Sequence, residues 1–352
     1  MSEHLWAEQR TSPGAIESAL RDLLRERHSE NEGFLPARVL NLVVVADRDW
    51  RGEIENRLER VGRYTASRTI LCAVESGRSS LDAWVTMGAD DDDEERGSFT
   101  LGHEHVIVDV GDQHLSHLDS IVDPLVVTDL ATVVWAPHGH HEAVDSLMRL
   151  AQVVLLDSIE EPSLAEALRR AGELSERAYV VDLAWLRSTP WRERIAATFD
   201  PGAWRGELRR ISSVTVRHRP DSAVAGLLLF GWLATRLGWQ PGSLVARNGS
   251  FYGHAGGGRQ EVALALESDE RQSAPGLAGI SIETASGMSI SLDRGPGGLS
   301  AARTTRDGRE SKWTVMGASR GESGILGEGI RQALLRDATY APALEAASAM
   351  VA

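Results

Sequence analysis

The chain has 352 residues, of which 42% are apolar and 25% are charged, and its formal net charge is −14. This composition is typical of a soluble globular protein with room for two domains. The acidic balance disfavours a nucleic-acid partner, because phosphates need a basic surface. We find no apolar run long enough to cross a bilayer and no signal peptide, so we expect a cytoplasmic protein without membrane association.

Two residue types are scarce enough to exclude kinds of site. Cys72 is the only cysteine, which excludes an intrachain disulfide and multi-cysteine zinc sites. Lys312 is the only lysine and follows a serine, which excludes a phosphate-binding loop of the GxxxxGK[ST] type.

The first half of the chain alternates strand-like and helical segments. An amphipathic helix is predicted over 13–28, where Ser12 can cap and Pro13 fits the first turn. Strands are then predicted at 39–46, 68–75, 103–110, 131–136, 153–158 and 179–186. The helices predicted between them cover 49–62, about 114–122, 141–151 and 163–177. This alternation predicts an α/β domain with a mostly parallel sheet.

The pattern changes after about residue 200, where short strands begin to dominate. A strand over 211–219 leads into an apolar helix over 222–238. Several strands separated by glycine-rich or polar turns follow, including an Asp307-Gly308 hairpin signal. A closing helix is predicted over 322–337, and the alanine-rich tail 341–352 is expected to fray. We therefore predict an α+β domain with a mostly antiparallel sheet.

Histidines are concentrated in one part of the chain, where seven of the eleven fall between residues 103 and 141. His-x-His on a strand places both rings on one face, which is a metal-ligand spacing, so the weak metal candidates are His103, His105, His138 and His140. The favoured interpretation is histidine at strand ends and helix caps, since spacing alone is poorly specific. We accordingly expect no metal and no cofactor.

Two other segments look like motifs but lack their context. The GASRG segment matches a nucleophile elbow with Ser319, yet no histidine follows His254, so the hydrolase order cannot be met and we expect no catalytic residues. The acidic run 90–95 is predicted to be a solvated loop.

Arginine and tryptophan form the remaining candidates. Arg209, Arg210, Arg217 and Arg219 could bind an anion or an acidic partner surface, or simply form a solvated face. Trp185, Trp191 and Trp204 are each close to an arginine, and these two residue types are enriched at interface hot spots. The alternative is that most of the tryptophans are core.

Four blocks resemble the glucose-6-phosphate dehydrogenase assembly protein family (OpcA). They are 36–75, 121–158, AYVVDLAWLRSTPWRERIAATFDP at 178–201, and RRISSVTVRHRPDSAVAGLLLFGWLATRLGW at 209–239. The resemblance implies a non-enzymatic factor that binds glucose-6-phosphate dehydrogenase and promotes its active oligomer in the oxidative pentose phosphate pathway, acting as an allosteric activator.

The matching positions suggest where a partner would bind. In the third block they are Asp182, Trp185, Arg187, Pro190, Trp191 and Arg192; in the fourth they are Arg217, His218, Arg219 and Asp221. From these we predict partner contacts at Trp185, Arg187, Trp191, Arg192, Arg217, His218 and Arg219. Thr189 is predicted to cap the helix that begins with Pro190.

The domain boundary and one competing function stay open. We predict an N-terminal helical extension over 1–32, an α/β domain over 33–172 and an α+β domain over 173–352. The second boundary could lie as late as about 200, since periodicity places strand 179–186 with the first domain whereas the family division places it with the second. The competing function is a phosphosugar-binding enzyme or sensor that uses the arginine patch and the histidine cluster, with a phosphosugar as effector.

Overall fold

The computed structural model describes residues 4–30, 34–36, 38–62, 67–89, 100–257, 260–295, 297–316 and 322–351. Contacts divide the chain into two compact units. The first unit comprises Met1–Leu156, Arg177–Val181 and Leu326–Leu334, and the second comprises Asp157–Glu176, Asp182–Ile325 and Leu335–Ala352.

The first sheet is mostly parallel. Its strands are β1 (His4–Thr11), β2 (Phe34–Pro36), β3 (Leu40–Asp47), β4 (Ser67–Val74), β5 (Leu81–Ala89), β6 (Thr100–Val110), β7 (Ala131–Trp135), β8 (Val153–Leu156) and β9 (Tyr179–Asp182). Their order is β1-β5-β6-β4-β3-β7-β8-β9, with β2 beside β6. The central strands β6, β4, β3, β7 and β8 run parallel, whereas β5 is antiparallel to both β6 and β1.

The helices of the first unit cover the apolar central strands. They are α1 (Pro13–Glu30), α2 (Arg51–Gly62), α3 (Leu118–Val122) and α4 (His141–Leu147). Residues 40–46 of β3 are all buried, as a strand covered on both faces requires. Helix α2 buries Ile54, Leu58 and Val61.

The second sheet is mostly antiparallel. Its strands are β10 (Ile211–His218), β11 (Gln240–Pro241), β12 (Val245–Arg247), β13 (Ser250–Gly257), β14 (Gln260–Ser268), β15 (Leu277–Thr284), β16 (Ser289–Gly295), β17 (Gly298–Thr304) and β18 (Glu310–Met316). Their order is β11-β13-β14-β10-β15-β16-β17-β18, with β12 beside β13. The pair β10–β14 is parallel, and the other pairs are antiparallel.

The remaining helices are α5 (Leu164–Ser175), α6 (Leu183–Arg187), α7 (Thr189–Phe199), α8 (Gly202–Arg205), α9 (Ala223–Leu237), α10 (Glu322–Ala333) and α11 (Tyr340–Val351). Helix α9 packs on β10 and β14 and also against α11. The two-part fold class predicted from the sequence, an α/β domain with a mostly parallel sheet and an α+β domain with a mostly antiparallel one, is confirmed. The predicted domain boundaries stay predictions.

Several predicted elements differ from the structure. The strand expected over 179–186 ends at Asp182, where the carboxylate accepts a hydrogen bond from the Ala184 N–H and starts α6. The tail expected to fray is helix α11, which buries six side chains, including Leu344 and Met350. Helix α7 begins at Thr189, so its N-cap is Ser188 rather than the predicted Thr189, and the Ser188 side chain makes no capping hydrogen bond.

Three predictions concern membrane spanning or segments outside the described residues. No helix in the described ranges is long and apolar enough to cross a membrane. The acidic run 90–95 and Ser319 lie outside the described residues.

Candidate partner-binding site

A buried ion pair joins the third family-like block to the residue that follows β8. Arg187, at the end of α6, donates from Nη1 and Nη2 to the two carboxylate oxygens of Asp157 at 2.8 and 2.7 Å. Their side chains are only 6% and 10% exposed. Such a two-point contact fixes the guanidinium plane, and removing one partner would leave a buried charge.

A second arginine lies in the turn between β10 and α9. Arg219 contacts Asp221 through Nε at 2.6 Å and Nη2 at 2.5 Å. Burial raises the pKa of Glu160, and the charge of Asp157 raises it further, whereas Arg187 and Arg219 oppose this. We call Asp157, Glu160, Arg187, Arg219 and Asp221 the arginine–carboxylate cluster. Its three carboxylates outnumber its two guanidinium groups, so the arginines are already neutralised.

His218 ends β10 with its ring inside the second unit, where it is 2% exposed. Its Nδ1 lies 2.6 Å from the Arg219 carbonyl oxygen, so a neutral ring donates from Nδ1. Burial lowers the pKa of His218, which favours that neutral ring. Its Nε2 makes no hydrogen bond with any described residue. The side chain therefore supports the turn from inside and is not displayed at the surface.

Trp185 and Arg192 form a stacked pair in the core of the second unit. The Arg192 guanidinium lies 3.5 Å from the centre of the Trp185 ring. The indole N–H of Trp185 donates to Asp337 at 2.8 Å, and Arg192 Nη1 lies 3.8 Å from that same oxygen. Burial lowers the pKa of Arg192 to about 10, which the Asp337 charge partly offsets.

Further tryptophans pack beside arginines in the same unit. Trp191 is 1% exposed, and the Arg294 guanidinium lies 6.0 Å from its ring centre. Arg303 lies 4.3 Å from the Trp204 ring centre and 5.9 Å from that of Trp313. These contacts favour the core interpretation for Trp185 and Trp191.

Asp182 is a buried carboxylate beside this core. It accepts hydrogen bonds from the Ser158 and Ala184 N–H groups at 3.2 and 2.9 Å, and from the Tyr340 hydroxyl at 3.1 Å. Burial raises the pKa of Asp182 to about 6, and the Asp157 charge adds to the rise. The group therefore holds its proton more tightly than an exposed aspartate does.

Arg217 lies on a face of the second sheet that the helices leave uncovered, which we call the open face. One row across it consists of residues that pair strand by strand and are not buried: Tyr252, Ala265, Thr215, Ser281, Ser291 and Ala302. The opposite face is apolar, as in the paired, buried row Leu264, Val214, Ile282 and Ile290. Arg217 itself is 31% exposed and forms an ion pair with Asp293 across the sheet.

The four arginines predicted to bind an anion occupy three different settings. Arg209 and Arg210 are exposed in a 3-10 turn over Gly206–Arg210, where Arg210 lies 3.3 Å from Glu207. Arg217 is on the open face, and Arg219 is in the arginine–carboxylate cluster. Because Arg210, Arg217 and Arg219 each face a carboxylate, the predicted anion site stays a prediction without support from this geometry.

The histidine candidates for a metal site are also spread out. His105 lies in β6, whereas His138 and His140 lie in the loop after β7. His140 Nε2 is 2.9 Å and His138 Nδ1 is 3.9 Å from the Asp47 carboxylate. The side chain of His103 is outside the described part of the chain. Among the described residues, no three His, Cys, Asp or Glu side chains are grouped so that they could hold a metal ion.

Sequence reasoning missed Asp157, Glu160, Asp337 and Tyr340. A signal existed for Asp157, because it directly follows a buried strand, where polar residues of α/β domains are often functional. No local signal marks Asp337, since its partner Trp185 is 152 positions away in the chain.

Two family models match the chain. The N-terminal domain of the glucose-6-phosphate dehydrogenase subunit matches residues 59–173, and its C-terminal domain matches residues 178–344. Together they cover well over half of the chain. The chain therefore belongs to the glucose-6-phosphate dehydrogenase assembly protein (OpcA) family, and the predicted membership is confirmed.

Curated relatives share the family name. The OxPP cycle protein OpcA of Synechococcus elongatus is 29% identical over 139 residues, which are 38% of this chain and 31% of that protein. The OxPP cycle protein OpcA of Nostoc punctiforme is 29% identical over 141 residues, 39% of this chain and 30% of that protein. The matched stretches thus span less than a third of the relatives' own length.

Among solved structures, apo scyllo-inositol dehydrogenase from Lactobacillus casei overlaps with a TM-score of 0.43 at 10% identity, covering 90% of this chain and 96% of that one. A second structure of the same enzyme gives a TM-score of 0.42. These values are too low to support an argument about fold or activity.

Proposed function

We propose that this chain is a non-enzymatic assembly factor that binds glucose-6-phosphate dehydrogenase and promotes its active oligomer. The observation that carries the proposal is the match of both halves of the chain to domains described as parts of a dehydrogenase subunit. Activation then requires that the chain bind the active arrangement of the enzyme more tightly than the others, because a partner shifts an equilibrium only by differential affinity.

The open face supports a binding role. Its central residues are small, so docking a partner there would freeze few rotamers and cost little side-chain entropy. Tyr252 is 39% exposed and lies opposite Val245, which is 54% exposed, on a neighbouring strand. A tyrosine beside small residues is a suitable anchor for a protein interface.

The predicted partner residues divide into two groups within this proposal. Trp185, Arg187, Trp191, Arg192 and His218 are buried, so we assign them to holding the core that supports the binding surface. Arg217 and Arg219 are partly exposed and remain the contact candidates, able to exchange Asp293 and Asp221 for carboxylates of the partner.

The test is an assay of glucose-6-phosphate dehydrogenase from the same cells with and without an equimolar amount of this chain. We expect higher specific activity and a shift toward a larger enzyme species in light scattering coupled to gel filtration. Arg217→Glu should weaken the effect, whereas Arg60→Glu, at an exposed position of α2 in the first unit, should not. An enzyme whose activity and size are unchanged by the chain would contradict the proposal.

A further inference from the structure

The strand β1 lies at the edge of the first sheet in the described part of the chain. Residues 4–8 pair regularly with residues 83–87 of β5, and the register shifts only between Glu8 and Thr11. Arg10 has a positive φ of 52° in that shifted stretch. The first five residues of β1 are therefore a straight edge with backbone groups available on its outer side.

An apolar side chain is exposed on this edge. Leu5 is 63% exposed, the largest fraction among the exposed large apolar side chains described. Edge strands are normally protected by charge, proline or irregular geometry, because an exposed regular edge pairs with other chains. The register shift between Glu8 and Thr11 protects the end of β1 but leaves the segment around Leu5 available for pairing with another chain.

A groove runs beside this edge, between β1 and α1. Its cavity volume is about 500 Å³. Trp6 and Leu23 supply apolar side chains, Glu8, Asp22 and Glu26 supply carboxylates, and Leu5 borders the groove. Asp22 also contacts Arg25 at 2.5 Å, but both side chains are more than two-thirds exposed, so that pair contributes little and a new cation can replace it.

We propose that β1 and this groove bind an extended, basic segment of the partner protein, in which apolar and basic side chains alternate. The segment adds a strand beside β1 by main-chain hydrogen bonds. Its basic side chains all point to the α1 side, where they enter the groove and meet Glu8, Asp22 and Glu26, and its apolar side chains lie on the opposite face beside Leu5. A second copy of this chain is disfavoured as occupant, because the same carboxylates would face each other across the symmetry axis.

The groove is separate from the surface that carries the proposed function. It is built from residues 5–26, which precede the first family-matched residue, 59, and belong to the first unit, whereas the open face belongs to the second. The inference rests on the proposed function only for the identity of the partner, glucose-6-phosphate dehydrogenase.

The experiment measures binding of the dehydrogenase to full-length chain by biolayer interferometry. The triple variant Glu8→Lys, Asp22→Lys, Glu26→Lys should bind at least about ten-fold more weakly. The matched control Glu53→Lys, Glu59→Lys, Glu142→Lys changes the same charge on exposed parts of other helices and should stay within about two-fold. Circular dichroism and thermal unfolding confirm that both variants fold.

Hydrogen exchange gives a second measurement in the same complex. Amides within residues 4–8 should become protected when the dehydrogenase is added. If the wild-type chain binds but the groove variant binds equally well, or these amides gain no protection, the inference is wrong while the proposed function stands. A dimer of the chain that is lost in the groove variant, with dehydrogenase binding intact, also overturns it in favour of a second copy.

If the wild-type chain does not bind the dehydrogenase, the proposed function fails and the groove is tested by itself. The probe is then a soluble heptapeptide that alternates lysine with valine, added to the full-length chain. Protection of residues 4–8 that disappears in the groove variant supports the inference, and no protection at millimolar peptide overturns it.

Discussion

Asp182 is a residue whose burial makes folding depend on pH. Its pKa is about 6 in the folded chain against an ordinary value of 3.8. The folded state holds the proton more tightly, so this group's contribution is fully present below pH 3.8 and is lost as pH rises toward 6. The loss amounts to about 3 kcal/mol of unfolding free energy.

Asp182→Asn should therefore flatten the dependence of stability on pH between about 4 and 6, because an amide keeps the acceptor oxygen and does not ionise. The measurement is urea unfolding at pH 4, 5, 6 and 7 for wild type and variant. Asp200→Asn, at an exposed position, is the control and should leave the curve unchanged. If unfolding free energy varies with pH in the Asp182 variant as it does in wild type, the Asp182 carboxyl is not the source of the pH dependence.

Arg187 and Arg219 make chemically similar pairs in different environments. Arg187→Ala would leave the buried Asp157 carboxylate without its ion-pair partner, so we expect a loss of about 3–5 kcal/mol in unfolding free energy. Arg219→Ala would break a pair whose carboxylate is 54% exposed, and we expect a loss of at most about 1 kcal/mol. Denaturant unfolding of both variants tests this order, and equal losses would show that burial does not decide the difference.

Helices α9 and α11 approach so closely that one position requires glycine. A Cβ built on Gly231 would lie 2.0 Å from the carbonyl oxygen of Ala343. Gly231→Ala should therefore lower the unfolding free energy by about 1–3 kcal/mol through overpacking. In α5, a Cβ on Gly172 meets nothing within 4 Å, so Gly172→Ala should raise stability by about 0.5–1 kcal/mol. Thermal unfolding of the pair distinguishes close packing from a general effect of glycine replacement.

Sequence patterns predicted some of the strands and helices of this fold and missed others. Periodicity located the buried parallel strands, since a run such as residues 40–46 is apolar at every position except Asn41. It missed β5, although Leu81, Ala83, Val85 and Met87 are buried at alternate positions. It also missed β1, which pairs with β5 at separations of 70 positions or more in the chain. The tail was expected to fray because it is rich in alanine, whereas packing against α9 and α5 buries it. Local sequence patterns therefore located the central strands. The strands β1 and β5 and the final helix α11 depend on contacts between residues that are distant in the chain.

The same limit applies to the candidate site. Block three and block four supply Arg187, Arg219 and Asp221, which lie in the arginine–carboxylate cluster. Their carboxylate partners Asp157 and Glu160 come from outside both blocks, and only the fold places them together. Sequence therefore suggested free cationic groups where the structure has neutralised ones.

At the scale of the whole molecule, the beginning of the second unit depends on which unit contains helix α5. The boundary predicted at 172/173 would cut α5 and leave most of it with the first domain, whereas contacts place Asp157–Glu176 in the second unit. Helix α5 packs against α11 and α9, and its buried side chains are Ala167, Leu168, Arg170, Ala171 and Leu174. Burying two leucines alone contributes roughly 3–6 kcal/mol.

A fragment of residues 157–352 should consequently unfold at a higher denaturant concentration than a fragment of residues 173–352. The shorter fragment lacks the apolar face of α5, so it exposes the surfaces of α9 and α11 that this face covers and should bind more of a hydrophobic dye. Substituting Leu168→Asp in the longer fragment should reproduce the loss, whereas Arg169→Asp, exposed on the same helix, should not. Equal stability of the two fragments would place α5 with the first domain and support the boundary predicted from the sequence.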